Sequence, residues 1–345
     1  MLWCCCCADS HWPGGDEERQ ALTGLHAEEL RVFAAMWIRS SAERFRLERL
    51  LPQVGARKGK SFVWLVEGAA ADQMFGWIFS RSHRAVLAVS NCDRAIGAHE
   101  RPFIERALRV AHPVLMPIEL ADVSRPDRAA IVRDWVAGGS LRDVIHGSPP
   151  EKSYNDKYDG IGTPLSEAKI AAFGRALLDA LLVLRPLGPH VATHIHLGNL
   201  FPAQTATHAL ATGDPLIRIA EWEQGLLAMP SPLEHFFHDL GRILEPFAIA
   251  FALCVYEMAT GFELDGLPIV IPPSCPRLVR QALEELMVDH RGKKSARRCT
   301  LEDARALPLF SRTSPGPAWP PLPSSQRGQS HAPDGTRSSG MHLRW

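Results

Sequence analysis

Hydrophobic spacing changes several times along this chain, and each change predicts a different kind of element. From Glu17 to Leu51 apolar residues recur at three- and four-residue intervals, at Leu22, Leu25, Leu30, Phe33, Met36 and Trp37, which predicts an amphipathic helical stretch. Phe62–Val66, Met74–Phe79 and Ala85–Val89 are short runs rich in β-branched and aromatic residues and predict three strands. Arg101–Val110 returns to helical spacing, and Val114–Leu120 and Ala129–Trp135 predict two more strands. Beyond Gly138-Gly139 helices dominate. One is predicted to begin at Ser140, a good N-cap, and a long one at Thr163-Pro164, where an N-cap threonine precedes proline at the first helical position. Phe247–Gly261 is apolar on nearly all sides, so a buried helix is predicted there, followed by helices over Pro276–His290 and Leu301–Leu307. Pro202–Pro215, rich in Ala and Thr, predicts a surface loop.

Composition adds boundaries. The 46% hydrophobic and 22% charged content over 345 residues is that of a globular protein with a substantial core. Formal net charge is zero, so no overall field favours nucleic acid or an anionic membrane, and no nucleic-acid partner is expected. No run is long and apolar enough to predict a membrane-spanning helix. Residues 1–15 predict no structure and do not read as a secretory signal. Their consecutive cysteines, Cys4, Cys5, Cys6 and Cys7, are poor disulfide partners for one another but are candidates for S-acylation at a membrane surface. The other cysteines show no metal-ligand spacing, and a reducing, cytoplasmic setting is expected. Residues 312–345, dominated by Pro, Ser and Gly, predict a disordered tail.

Candidate chemistry is concentrated in Thr193-His194-Ile195-His196-Leu197-Gly198-Asn199-Leu200-Phe201 and in Leu216–Glu223, a polar loop entering one strand and a second strand ending in carboxylates. A protein kinase presents its catalytic loop and metal-binding acid in this order. Asn199 fits the last position of the kinase H-R-D-L-x-x-x-N pattern, His194 stands in the place of its aspartate, and Glu221-Trp222-Glu223 stands where D-F-G would. The His-x-His-x-x-Asn loop, the acidic strand end and the run Gly225-Leu226-Leu227-Ala228-Met229-Pro230-Ser231 together resemble the PX-domain-containing kinase-like proteins and the related slowpoke-binding proteins. The resemblance extends through Gly138–Ile145, the Lys152–Tyr158 insert, Tyr256–Gly261 and Leu307–Phe310, over about residues 60–311.

This resemblance implies an α+β, two-lobed kinase-like fold, with a small mostly-β lobe over about 60–135 and a larger helical lobe over about 136–311. Residues 16–58 would be a helical extension packed behind the small lobe, and the family's PX domain is not expected there. The resemblance also implies partners at membranes or ion channels.

Phosphoryl transfer needs phosphates cradled, metal held, the hydroxyl oriented and charge neutralised. Asn199 and Glu221 offer oxygens for magnesium, with Glu223 as a second acid at the same strand end. His194 stands in the base position and His196 where it would reach a γ-phosphate; the plainer expectation is that both hydrogen-bond the loop backbone. Between the strands at 62–66 and 74–79, Gly68–Gln73 has one glycine and an acid, a poor phosphate cradle, and the third strand offers Val89, Ser90 and Asn91 but no lysine. Glu105, the match to a kinase's ion-pairing glutamate, therefore lacks that partner. His235, His238 and Asp239 could be a metal cluster but read better as surface residues. The expectation is a pseudokinase that acts as a scaffold or regulator, binding ATP and magnesium weakly or not at all. The alternative is a low-activity Ser/Thr-type kinase, which would need a cation brought to the cleft from elsewhere, such as Arg84 or Arg94.

Overall fold

Strand-forming residues in the first part of the chain build one antiparallel sheet. A computed structural model describes residues 96–311 except 126–127, 151, 153, 204–214, 228, 230, 232 and 288–297; before residue 96 it describes the backbone of three strands and a helical piece at Val32 and 35–37. The strands are β1 (Phe45–Leu51), β2 (Lys60–Glu67), β3 (Arg84–Asn91), β4 (Leu120–Asp122) and β5 (Arg128–Asp134), in the spatial order β1-β2-β3-β5-β4.

The first strand corrects the sequence reading, which took 45–51 as helix. Register against β2 runs Leu47↔Leu65 and then Arg49↔Trp64, so Glu48 is the extra residue of a bulge. The bulge breaks the period-two alternation and leaves Leu47 and Leu50 three apart, a spacing that imitates a helix. A second consequence follows. The first hairpin of the sheet is the connection of residues 52–59, whereas the sequence reading placed it at 68–73. The predicted strand at 74–79 lies outside the described residues, as do residues 1–15 and the tail from 312. Farther along, the strand expected over Val114–Leu120 is reduced to an isolated bridge at Leu115, and β4 begins only at Leu120.

The helical extension is described at one useful point. Trp37 is buried, and its indole N–H donates to the Asp122 carboxylate on β4 at 3.1 Å, which ties this residue to the sheet. Between β3 and β4, α1 (Arg101–Leu108) buries Ile104, Ala107 and Leu108.

The remaining described helices are α2 (Leu141–His146), α3 (Tyr154–Lys157), α4 (Glu167–Leu184), α5 (Glu234–Leu240), α6 (Pro246–Thr260), α7 (Arg277–Met287), α8 (Leu301–Ala306) and α9 (Pro308–Ser311). Their centre is α6, in which every residue from Phe247 to Thr260 is buried. This burial explains why its sequence shows no polar face. Gly261 ends the helix in a left-handed turn at φ 79°. Phe251 meets Phe310 edge-on at 5.1 Å, and Phe310 lies over Gly174 of α4, where any larger residue would collide with the ring. The start of α4 differs from expectation: Ser166 caps it, accepting from the Lys169 N–H, while the Thr163 N–H is used by the Ile145 carbonyl.

A two-stranded hairpin, β6 (Leu200–Pro202) with β7 (Ile217–Ile219), completes the fold of mixed helix and sheet. It is tied to the segment entering β4 by Met116 N–H donating to the Ile219 carbonyl and Ile219 N–H donating to the Val114 carbonyl. That tie fixes the hairpin, and the loops at its ends, relative to the sheet.

Candidate functional site

Two short 3-10 turns, Pro189–His194 and Leu197–Asn199, lead into β6 and carry the histidines. Both histidines are buried. His194 Nε2 lies 3.2 Å from the Met229 carbonyl oxygen, an acceptor, so this nitrogen carries a proton and donates it there. His196 caps the next turn, its Nδ1 accepting from the Gly198 N–H at 3.1 Å. Its ring borders a small cavity among Leu233, Phe236, Cys254 and Glu257, on the helical side of the loop. Asn199 is held by its own side chain, whose amide nitrogen donates to the His194 carbonyl at 2.8 Å. That leaves the Asn199 side-chain oxygen, Oδ1, as the atom able to meet a cation, its backbone carbonyl being taken by the Ala220 N–H.

The main cavity, about 90 Å³, lies between the end of β5 and the β6–β7 hairpin. Asn199, Gly198 and Glu221 line it; His194, His196 and Glu223 do not. Glu221 has φ 58°, a left-handed conformation that costs a residue other than glycine about 1–3 kcal/mol. There the chain leaves β7 for the turn Trp222–Gln224 with the Glu221 side chain at the cavity wall. Two of the proposed metal ligands, Asn199 and Glu221, are therefore brought together, and the third is removed.

Glu223 is removed by a residue that the sequence reading passed over. Arg133, on β5, is buried, and its Nη2 donates to Glu223 Oε1 at 2.6 Å. Arg133 also lines the cavity. A second cation, Lys157, reaches the wall from the insert and lies 3.0 Å from Asp143. Tyr158 of the same insert donates its hydroxyl proton to Asp143 at 2.7 Å, and burial together with Asp143 pushes the Tyr158 pKa well up. The cations at the cleft are thus Arg133 and Lys157; Arg84 is placed by its backbone alone, and Arg94 lies outside the described residues. A charged residue inside the apolar strand Arg128–Asp134 was the available signal for Arg133, since burial of an arginine demands a partner.

As bounded by the described residues, the cavity is small beside known ligand sites. Pockets for ligands of drug size run to roughly 300–1,000 Å³, several times the 90 Å³ here. Among the described residues no group of three His, Cys, Asp or Glu side chains could hold a metal ion, and His238 pairs only with its neighbour Asp239, both exposed. Nor is any described helix long and apolar enough to cross a membrane.

A loop ending in an asparagine, a short hairpin and an acid at its end, together with a five-stranded sheet, is a kinase-like arrangement, and the chain's relatives are kinase-like. It is 25% identical over 292 residues to the probable inactive serine/threonine-protein kinase slob2 of Dictyostelium discoideum, covering 82% of this chain and 47% of that protein. It is 24% identical over 237 residues to the Slowpoke-binding protein of Drosophila melanogaster, covering 66% and 43%. A second Dictyostelium protein, probable inactive serine/threonine-protein kinase slob1, is 24% identical over 189 residues, covering 48% of this chain and 31% of the relative. The resemblance to slowpoke-binding kinase-like proteins is therefore supported at modest identity over much of the chain. The chain spans less than half the length of each of these relatives. No protein-family model matches it.

Proposed function

We propose that this chain forms a two-lobed, kinase-like domain that acts as a scaffold or regulator and binds ATP weakly or not at all. The observation that carries the reading is the state of His194. A general base must have a free lone pair within reach of the proton it takes. His194 is buried and does not line the cavity; with Nε2 donating to the Met229 carbonyl, the ring's lone pair is on Nδ1, which is buried as well. Glu223 is likewise tied to Arg133 instead of standing at the cavity. The names of the relatives, two of them probable inactive kinases, support the same reading. Calorimetry of ATP binding with and without magnesium tests it. No saturable heat is expected at micromolar ATP, and a magnesium-dependent isotherm in that range would overturn the proposal.

One observation favours the alternative, a low-activity protein kinase. The sheet's first hairpin connection, residues 52–59, holds Gly55, Arg57, Lys58 and Gly59, a better composition for approaching phosphate than residues 68–73. In addition, Lys60 on β2 is the register partner of Ser90 on the lysine-free third strand. If this alternative holds, Lys60→Met abolishes autophosphorylation measurable in the unaltered protein.

Protein partners are proposed for the scaffold role, with a counterpart of Slowpoke, named in the fly relative, as the first to try by co-precipitation. Acylation of Cys4–Cys7 would place the protein at the cytoplasmic face of a membrane, and two or more chains are needed for stable anchoring. Replacing all four by serine should release a fluorescent fusion from membranes.

A further inference from the structure

The insert between α2 and α4 is fastened by one carboxylate. Asp143 Oδ2 accepts from the Ser140 N–H at 2.8 Å and from the Ser140 hydroxyl at 2.9 Å, closing a capping box at the start of α2. Its Oδ1 faces the insert, taking the Tyr158 hydroxyl at 2.7 Å and the Lys157 ammonium at 3.0 Å. The Tyr158 ring packs edge-on against His146 at 5.0 Å, with the Arg142 guanidinium 5.7 Å from its centre. Asp143 is itself 5% exposed, so these bonds form with little competition from water. Gly139 makes the close fit possible: it sits at φ 70°, and a Cβ there would lie 2.8 Å from Asp143 Oδ2.

At its two ends the insert is held by backbone. The Ser148 N–H donates to the Asp143 carbonyl, the Gly162 N–H to the Gly261 carbonyl and the Thr163 N–H to the Ile145 carbonyl. Glycines with positive φ stand at these anchors, Gly147 at φ 60° just before the first and Gly160 at φ 124° just inside the second. Pro150, Lys157 and Tyr158, between the anchors, line the main cavity opposite Asn199 and Glu221.

We propose that residues 154–160 are an autoinhibitory lid, latched by Asp143 through Tyr158 and Lys157, that keeps the main cavity at its present small size. Ends fixed by backbone and a middle fixed by side chains allow the middle to swing out while the fold stays intact. The cavity then gains the space now filled by Lys157 and Tyr158, and its Asn199–Glu221 wall becomes open to a larger ligand. This inference rests on the kinase-like reading of the cavity as a nucleotide cleft, and it supplies a cause for weak binding other than missing ligands.

The test compares the full chain with Tyr158→Phe and Asp143→Asn by hydrogen–deuterium exchange, and by titration with a fluorescent ATP analogue without metal. Tyr158→Phe removes one latch bond without touching the cap, so it remains informative if Asp143→Asn folds poorly. Both variants should exchange at least tenfold faster across 154–160, with exchange in α6 unchanged, and should bind the analogue at least tenfold more tightly. Unchanged exchange in Tyr158→Phe would overturn the latch. Faster exchange with unchanged analogue binding would overturn the gating and leave the pseudokinase reading standing. Micromolar magnesium-ATP binding by the unaltered chain would instead defeat the pseudokinase reading, while the nucleotide-free exchange data still judge the latch.

Discussion

Among the described residues two arginine–glutamate pairs are buried, and they are built differently. Arg142 on α2 meets Glu257 on α6 with both arms of its fork, Nε to Oε1 at 2.5 Å and Nη2 to Oε2 at 2.7 Å, and Nη2 also lies 3.0 Å from Glu263. Burial alone would lower the Arg142 pKa, but Glu257 and Glu263 outweigh it and hold the pKa well above its ordinary value. Arg133 meets Glu223 with one bond only. Its Nε and Nη1, and Glu223 Oε2, have no partner among the described residues. A bidentate pair with a second carboxylate close by can repay the cost of desolvating two charges; a pair with three silent atoms repays less. The first pair therefore holds α2 to the central helix. The second is better explained by where it places Glu223, away from the cavity.

The largest effect should come from breaking the first pair. Arg142→Met leaves Glu257 buried with reduced compensation and is expected to cost about 3–5 kcal/mol in urea denaturation. A loss below about 1 kcal/mol would show that the fork contributes little. The second pair should separate single from double replacement. Arg133→Met or Glu223→Leu alone strands a buried charge, whereas the two together should be neutral or stabilising by about 1–4 kcal/mol. If the double variant is as unstable as the singles, the two pairs are alike and the contrast fails.

Gly225→Ala asks what else holds the segment carrying Glu223. An added Cβ there would strike the His190 carbonyl oxygen and crowd the Val191 Cα, both of them backbone. A loss of about 1–3 kcal/mol is expected, as for overpacking elsewhere. A neutral result would show that this segment can shift and that the ion pair alone positions it. The smallest effect is alkaline. Tyr158, buried and bonded to the Asp143 carboxylate, keeps its proton in the folded protein above pH 10, where an unfolded tyrosine has lost it. Its contribution is fully present below that pH and is lost as pH rises, by at most about 1.4 kcal/mol per unit. Tyr158→Phe should flatten that part of the stability–pH curve; an unchanged slope would assign it to other groups.

Helices with strong signals were legible in the sequence: α6 from its unbroken apolar run, and α2 from Ser140 and the glycines before it. Asn199 and Glu221 were legible as cavity residues because their spacing follows the kinase pattern, and both line the cavity. What escaped the sequence is what depends on distant pairing. Strand β1 was hidden by the bulge at Glu48, and with it the identity of the first hairpin. The fate of Glu223 was decided by Arg133, 90 residues earlier, which no local period reveals. Asp143 looked like an ordinary residue of a helix start, and only the folded insert shows that its second oxygen is used by Lys157 and Tyr158.

The bulged strand β1 has a practical consequence for anyone trimming this protein. It forms one margin of the sheet and covers the hydrogen-bonding edge of β2. A fragment begun at residue 60, where the sequence alone would start the domain, removes that cover together with Trp37 and its bond to Asp122. The backbone groups of Phe62-Val63-Trp64-Leu65-Val66 would then face solvent as an open, apolar edge, a template on which other chains add strands. Such a fragment should self-associate, and one begun before Trp37 should not.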